Sequence, residues 1–223
     1  DLDDGDDANG QKEIDLTAFD SDVLDTQDAT LFSVSYHLSQ AEADANTGAL
    51  SSPYYNTTAF SYQVFTRIEN NLKTDCYDTT EFTVNIYAAP KANLVSDLFE
   101  CDDDNDGVLS FDFTVPQAQV FGAQLATDFT VSYHLSQDDA EANSAALSLP
   151  YQNTYSTEEI FIRIENNANA NCFDTTSFTL NVFDTPIANI VGTVEKCDDL
   201  DDGDDANGQK EIDLTAFDSD VLD

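Results

Sequence analysis

Apolar and polar residues alternate with a period of two along several stretches of the chain, and period two places alternate side chains on opposite faces of a strand. In SVSYHLSQ, Val34, Tyr36 and Leu38 share one face, as Val131, Tyr133 and Leu135 do in TVSYHLSQ. In IFIRIENN, Ile160, Ile162 and Ile164 take one face and Phe161, Arg163 and Glu165 the other. Phe178, Leu180 and Val182 align in TTSFTLNVF, and Leu109, Phe111 and Phe113 in LSFDFTV. IENNANANC, between two such runs, reads as a hairpin whose Asn residues tolerate left-handed geometry. PQAQVFGAQLA and QDDAEANSAAL have little β signal and some helical propensity, so they read as one-turn helices or loops. The expected class is all-β, an Ig-like sandwich.

The same pattern recurs. Residues 1–25 return letter for letter at 199–223. Inside that 198-residue super-repeat lies a weaker period. Residues 36–56 match 133–153 at 14 of 21 positions, and 67–80 match 163–176 at 9 of 14. The unit is therefore about 97 residues, a length that reads as one small domain. Pro90 and Pro186, each following a strand-like run, mark the boundaries. They give a unit at 1–90 lacking its first segment, a complete unit at 91–186 and the start of a third at 187–223. Beginning and ending at the same phase, the chain reads as a window on a longer end-to-end array.

Charge narrows the function. With 45 Asp+Glu against 7 Lys+Arg, the net charge is −38. Phosphate neutralisation needs a basic footprint, so nucleic acid is excluded as a partner. No apolar run approaches a membrane span, so no direct membrane insertion is expected. Disorder is excluded by 41% hydrophobic residues, including 15 Phe and 9 Tyr, enough for a core.

Cysteines come as one pair per unit: Cys76 and Cys172 are 96 apart, as are Cys101 and Cys197. An even, periodic count suggests disulfides. One pairing, Cys101–Cys172, clasps a single unit and leaves Cys76 and Cys197 to partners outside 1–223. The other, Cys76–Cys101 with Cys172–Cys197, staples neighbours. The first is favoured, since each unit then carries its own clasp.

The acidic loops carry the candidate chemistry. CDDDNDGVLSFD (101–112) holds the D-x-D-x-D-G of a calcium loop, in which Asp102, Asp104 and Asp106 converge on a hard cation and Gly107 permits the turn. Phe113 stands where the twelfth-position Glu belongs, so Asp112 is the nearest acidic candidate. The longer loop at 197–213 offers Asp199, Asp201, Asp202, Asp205, Asn207 and Asp213. Its copy offers Asp1, Asp3, Asp4, Asp7, Asn9 and Asp15. A Ca2+ ion would relieve the repulsion among these carboxylates. Enzyme signals are weak: His37 and His134 lie on the polar side of their strands and read as surface residues, and no nucleophile, phosphate loop or cofactor box is present. Arg67/Glu69 and Arg163/Glu165 read as strand-surface ion pairs.

The phrase order CDDDNDG…SFDFT…VSYHLSQ…IFIRIENN…C-F-DTT-SFTLNV resembles the roughly 100-residue repeats of very large Bacteroidota surface proteins. Those proteins often end in a gliding-motility-associated or type IX secretion sorting domain. The resemblance implies a secreted or cell-surface, adhesin-like or filament-forming protein, and O-glycosylation at D-[S/T]-x sites, with Thr79 and Thr175 as candidate acceptors. The sequon at Asn56 has no counterpart at Asn153-Thr154-Tyr155 and is discounted.

The expected function is structural. Units in single file give an extracellular stalk or filament its reach, stiffened by calcium and disulfides, with neighbouring repeats and other copies in a fibre as partners. The rival is a glycan- or ligand-binding module using exposed Tyr54, Tyr55 and Tyr151.

Overall fold

A computed structural model describes residues 8–198 and 206–222. The chain is all-β with short helices. The first unit contains β1 (Glu13–Ile14), α1 (Asp20–Leu24), β2 (Phe32–His37), α2 (Gln40–Ala45), β3 (Tyr54–Tyr55), β4 (Ser61–Asn70) and β5 (Lys73–Asn85). The second contains β6 (Leu98–Asp102), β7 (Ser110–Phe111), α3 (Thr114–Phe121), β8 (Phe129–His134), α4 (Gln137–Ala142), β9 (Tyr151–Gln152), β10 (Thr157–Asn166) and β11 (Asn169–Asp184). A final helix, α5 (Asp218–Leu222), follows a 3-10 turn at Leu214–Phe217.

The second unit has a four-stranded sheet in the order β6-β11-β10-β8, faced by the two-stranded β7-β9. The first has the same plan, β2-β4-β5 with β1-β3, but three strands in its main sheet. All pairs are antiparallel except β6 with β11, which is parallel. The alternation read from sequence sets the core. Ile160, Ile162, Phe178, Leu180 and Tyr133 face Phe111, Phe113 and Tyr151 of the second layer, and all are buried. Phe113 lies edge-on to Phe178, with ring centroids 5.5 Å apart. Leu38 and Leu135 depart from expectation. Each strand ends one residue earlier, at His37 or His134, and the leucines are exposed.

The opposite face of the main sheet is also covered, by α2 in one unit and α4 in the other. Each helix is capped by Ser39 or Ser136, whose hydroxyl accepts the N–H of Glu42 or Asp139. Each closes on a left-handed Asn, Asn46 or Asn143, a geometry Asn adopts at little steric cost. The two histidines are therefore not surface residues. His37 and His134 are 0% exposed, with Nδ1 2.8 Å from Thr47 O and 2.7 Å from Ser144 O, and Nε2 against Ser35 and Ser132. The arginines are buried too. Arg163 donates to the carbonyls of Ala140, Glu141 and Ala170 and to Glu165, with its guanidinium 3.7 Å above the Phe173 ring. Arg67 repeats this, stacked on Tyr77. A planar five-donor fork can satisfy helix-end carbonyls and a carboxylate at once, which a lysine cannot.

The hairpin predicted at IENNANANC forms, and a counterpart forms in the first unit, each with a register shift before a two-residue loop. Their loop residues do not use left-handed geometry. Instead the Asn166 and Asn70 side chains accept the N–H of Ala168 and Leu72.

At the centre of β4, Thr66 occupies the position of Ile162, and its buried hydroxyl has no hydrogen-bond partner. Removing an unpaired buried hydroxyl without changing shape is favourable. Thr66→Val is expected to stabilise the first unit by about 1 kcal/mol in urea denaturation, whereas Ile162→Ala is expected to cost about 2–5 kcal/mol in the second.

Candidate functional site: the junction between units

The first unit hands over to the second through residues 86–97, and these do not form a free tether. Ile86 N donates to Phe60 O at 2.7 Å, closing the first unit. Asn166 Nδ2 then reaches across from the second unit's hairpin to Ala88 O, 3.0 Å. Lys91 exchanges two bonds with the Gln124 side chain, 2.8 and 2.7 Å. Ala92 N donates to Asp174 Oδ2 at 2.8 Å, and Asn93 binds Val120 O. Thr179 N donates to Asp97 Oδ1 at 2.7 Å, and β6 then pairs with β11 from Leu98↔Leu180 to Asp102↔Asp184. The contacts at Asp174, Thr179 and Leu180 fall at one constant offset, 82 residues. The linker is thus the upstream extension of an edge strand of the next unit. Ala92, Val95 and Leu98 pack on that unit's core, and Pro90 is buried whereas its counterpart Pro186 is exposed.

This register overturns the favoured cysteine pairing. Cys101 lies opposite Phe183, eleven positions along β11 from Cys172. At ~3.3 Å per residue that is about 36 Å, against a Cα separation below ~7 Å in a disulfide. The alternative fails for the same reason. Cys76 is at the hairpin end of the first unit and Cys101 at the far end of the second. Cys172 is at the near end of the second unit, and Cys197 follows its far end. All four thiols are free, and Cys76, Cys101 and Cys197 are exposed. The complete unit therefore carries one cysteine at each end, Cys172 beside the incoming linker and Cys101 beside the outgoing one.

Next to Cys101 lies the acidic loop. Carboxylate oxygens of Asp102, Asp104 and Asp106 lie within 4.8 Å of one another, the one such group among the described residues. Asp102 is buried. Its carboxylate accepts the N–H of Gly107 at 2.5 Å, which is the main force holding it below the usual carboxylate range. Gly107 sits at φ +79, a conformation side chains disfavour. Asp104 is pushed up, first by its hydrogen bond with Asp102 and then by the charge of Asp106.

The other described candidates all cap turns. Asp112, Asp15 and Asp213 are turn-capping groups, accepting the N–H of Thr114, Thr17 and Thr215. All three are held low, Asp15 chiefly by the Thr17 and then the Ser52 hydroxyl, Asp213 chiefly by the Thr215 hydroxyl, and Asp112 chiefly by the Thr114 N–H. Their contribution to stability is present above the normal carboxylate pKa and fades as pH falls through the depressed one. Asn9 and Asn207 cap the turn Asp106 caps, accepting from Gln11 and Gln209 as Asp106 accepts from Val108. Asp1, Asp3, Asp4, Asp7, Asp199, Asp201, Asp202 and Asp205 lie outside the described residues.

Two residue types escaped the sequence reading. Asn153 and Asn56 are buried, and each lashes its acidic loop to the chain. Asn153 Oδ1 accepts from Leu109 N at 2.6 Å, while Nδ2 donates to Gly107 O and Tyr155 O. Asn56 makes the same three bonds in its own unit. The shared Y-x-N phrase was the available signal. Asp174, read only as part of a D-T-T motif, is the anchor for the linker. In that motif the Thr79 and Thr175 hydroxyls are half-buried and accept from Gln40 and Gln137, both 2.9 Å.

The proposed aromatic platform is not exposed. Tyr151 is buried, its hydroxyl bonded to Glu158 at 2.7 Å, and Tyr54 and Tyr55 are half-buried. No described helix is long and apolar enough to cross a membrane.

These features define a tandem all-β repeat whose units are joined through a shared sheet edge, with a thiol at each end of the complete unit. The chain belongs to the Flavobacterium inter-domain disulphide bond domain family, whose profile matches residues 1–90 and 97–186. No curated protein matches it.

Charge-assisted hydrogen bonds contribute about 1.5–3 kcal/mol. Asp174→Ala is therefore expected to raise the amide exchange rate of Ala92 about tenfold or more and leave that of Ile162 unchanged, as read by hydrogen exchange with mass spectrometry.

Proposed function

We propose that this chain is a structural segment of a secreted or cell-surface filament or stalk of adhesin type, in which reach is the product. The observation that carries the reading is the strand-like junction. Each unit begins on an edge strand continuous with its predecessor, so successive units are held at fixed spacing. β11 is sixteen residues long, which sets an axial advance of about 50 Å per unit. The family's inter-domain disulphide supplies a second tie. The cysteine at the outgoing end of one unit, Cys101 in the complete one, bonds the incoming-end cysteine of the next, the counterpart of Cys172. A clasp of this type resists separation of neighbours under pull and adds about 2–4 kcal/mol to stability. Electron microscopy of the native protein is expected to give a thread beaded at about 50 Å. A compact particle whose length does not grow with the number of repeats overturns the reading. The Bacteroidota resemblance supports export by type IX secretion and surface display.

The carboxylate triad favours a subsidiary role for calcium. Asp102, Asp104 and Asp106 would supply three oxygens of the six to eight the ion takes, water filling the rest. Two consequences differ in sign. In EDTA, Asp104→Asn removes a carboxylate whose ionisation is opposed by its neighbours, and is expected to raise the melting temperature. In millimolar calcium the parent is expected to gain stability and the variant to gain none. A parent indifferent to calcium in differential scanning calorimetry removes the ion from the account.

A further inference from the structure

The turn between β9 and β10 of the second unit is braced more firmly than a surface connection requires. Glu158 Oε1 accepts the N–H groups of both Thr154 and Tyr155, each at 2.7 Å, and Oε2 accepts the Tyr151 hydroxyl. The buried Asn153 side chain donates to Tyr155 O at 3.0 Å. The backbone of Tyr155 is therefore fixed on both sides, yet the residue is 70% exposed. Beside it lies a groove of about 420 Å³, walled by Leu135 and Phe161 and bordered by Glu158 and Glu159. Glu159 is exposed. One of its oxygens accepts from Ser177 at 2.8 Å, and the other has no partner among the described residues.

The first unit builds the same turn without these groups. Asn56 donates to Thr58 O as Asn153 does to Tyr155 O, so Thr58 stands in the place of Tyr155. The sheet register sets Tyr62 and Gln63 in the places of Glu158 and Glu159. The exposed ring and the two carboxylates thus occur together in the second unit alone. Thr58 and Leu38 are exposed although a further unit follows them, so a following unit leaves this position open.

The polar groups of the groove select its ligand. Its side chains offer carboxylates, hydroxyls and ring faces, and none carries an N–H donor. The backbone N–H groups of Thr154 and Tyr155 are already taken by Glu158. An anion would meet only negative charge here, and a sugar or a peptide carbonyl would find few donors. A guanidinium supplies five donors and accepts none, and it stacks on aromatic faces. The second unit makes this arrangement internally, with Arg163 over Phe173 and Glu165 on its fork. We propose that the groove binds an arginine side chain of a partner protein, its guanidinium flat on Tyr155 and hydrogen-bonded to Glu159. A second copy of this chain does not supply it, because both of its arginines are buried. The net charge of −38 draws a basic partner toward the site.

The probe is N-acetyl-arginine amide, titrated into the isotope-labelled full 223-residue chain and followed by heteronuclear NMR. The Tyr155, Glu159 and Phe161 amides are expected to shift and saturate with a Kd of about 1–10 mM, while those of Thr58, Gln63 and Phe65 stay in place. Tyr155→Thr and Glu159→Gln install the residues that the first unit carries at these positions, so the fold is kept. Each is expected to weaken binding about three- to fivefold with unchanged circular dichroism. N-acetyl-citrulline amide, of the same shape without the charge, is expected not to bind, and N-acetyl-lysine amide to bind more weakly for want of the planar fork. Four results overturn the proposal: citrulline or lysine amide binding as well as the arginine probe, methyl glucoside binding in its stead, shifts spread equally over both units, or variants that bind like the parent.

Discussion

The parallel run of the linker against β11 is the contact on which the rest of the arrangement depends. A flexible connection between two small domains leaves their relative orientation to weak surface contacts. Here the connection is itself a sheet edge. Its backbone is fixed at Ala92 by the Asp174 carboxylate, and it pairs in register from Leu98 to Asp102. Its apolar side chains finish the core of the unit it enters. Folding the second unit and positioning it on the first are therefore one event. The comparison between the units makes this concrete: ten residues form the buried cluster where the edge strand is present, three where no described strand covers the edge.

The unusual acidity fits this design. A chain with net charge −38 repels copies of itself along its flanks, which disfavours lateral aggregation of exposed sheet edges. The buried positions carry the opposite logic. The only two arginines are each buried beneath a short helix, where they bind a carboxylate and the carbonyls that the helix end leaves open. A buried charge is tolerated when it is paired and hydrogen-bonded, and each arginine has a carboxylate partner and three further bonds to carbonyls. They tie α2 and α4 to the sheet's outer face, and this is why residues with polar alternation proved to be buried.

Much of the fold was legible from residues alone. The repeat length, the strand faces of Ile160, Ile162 and Ile164, the hairpin at IENNANANC and the short helices follow from local rules of period and propensity. So does the place of the acidic loop. What failed was whatever depended on a second layer. His37 and His134 look solvent-facing by strand parity, and nothing in their strands announces the helix that covers them. Asp112 joins the triad by spacing, whereas the carboxylates that gather are those of Asp102, Asp104 and Asp106, and an oxygen of Asp112 caps the turn at Thr114.

The sequence by itself determined the array: a unit of about 97 residues, repeated in order, with a thiol pair and an acidic loop at fixed phase. Those are statements about succession along the chain, and periodicity records succession directly. Only the tertiary structure decided which end of a unit each cysteine occupies. Residues 101 and 172 are close partners in any linear account of one repeat. The parallel pairing of β6 with β11 sends them to opposite ends of the same sheet, because strand direction, which no residue pattern encodes, fixes what lies beside what.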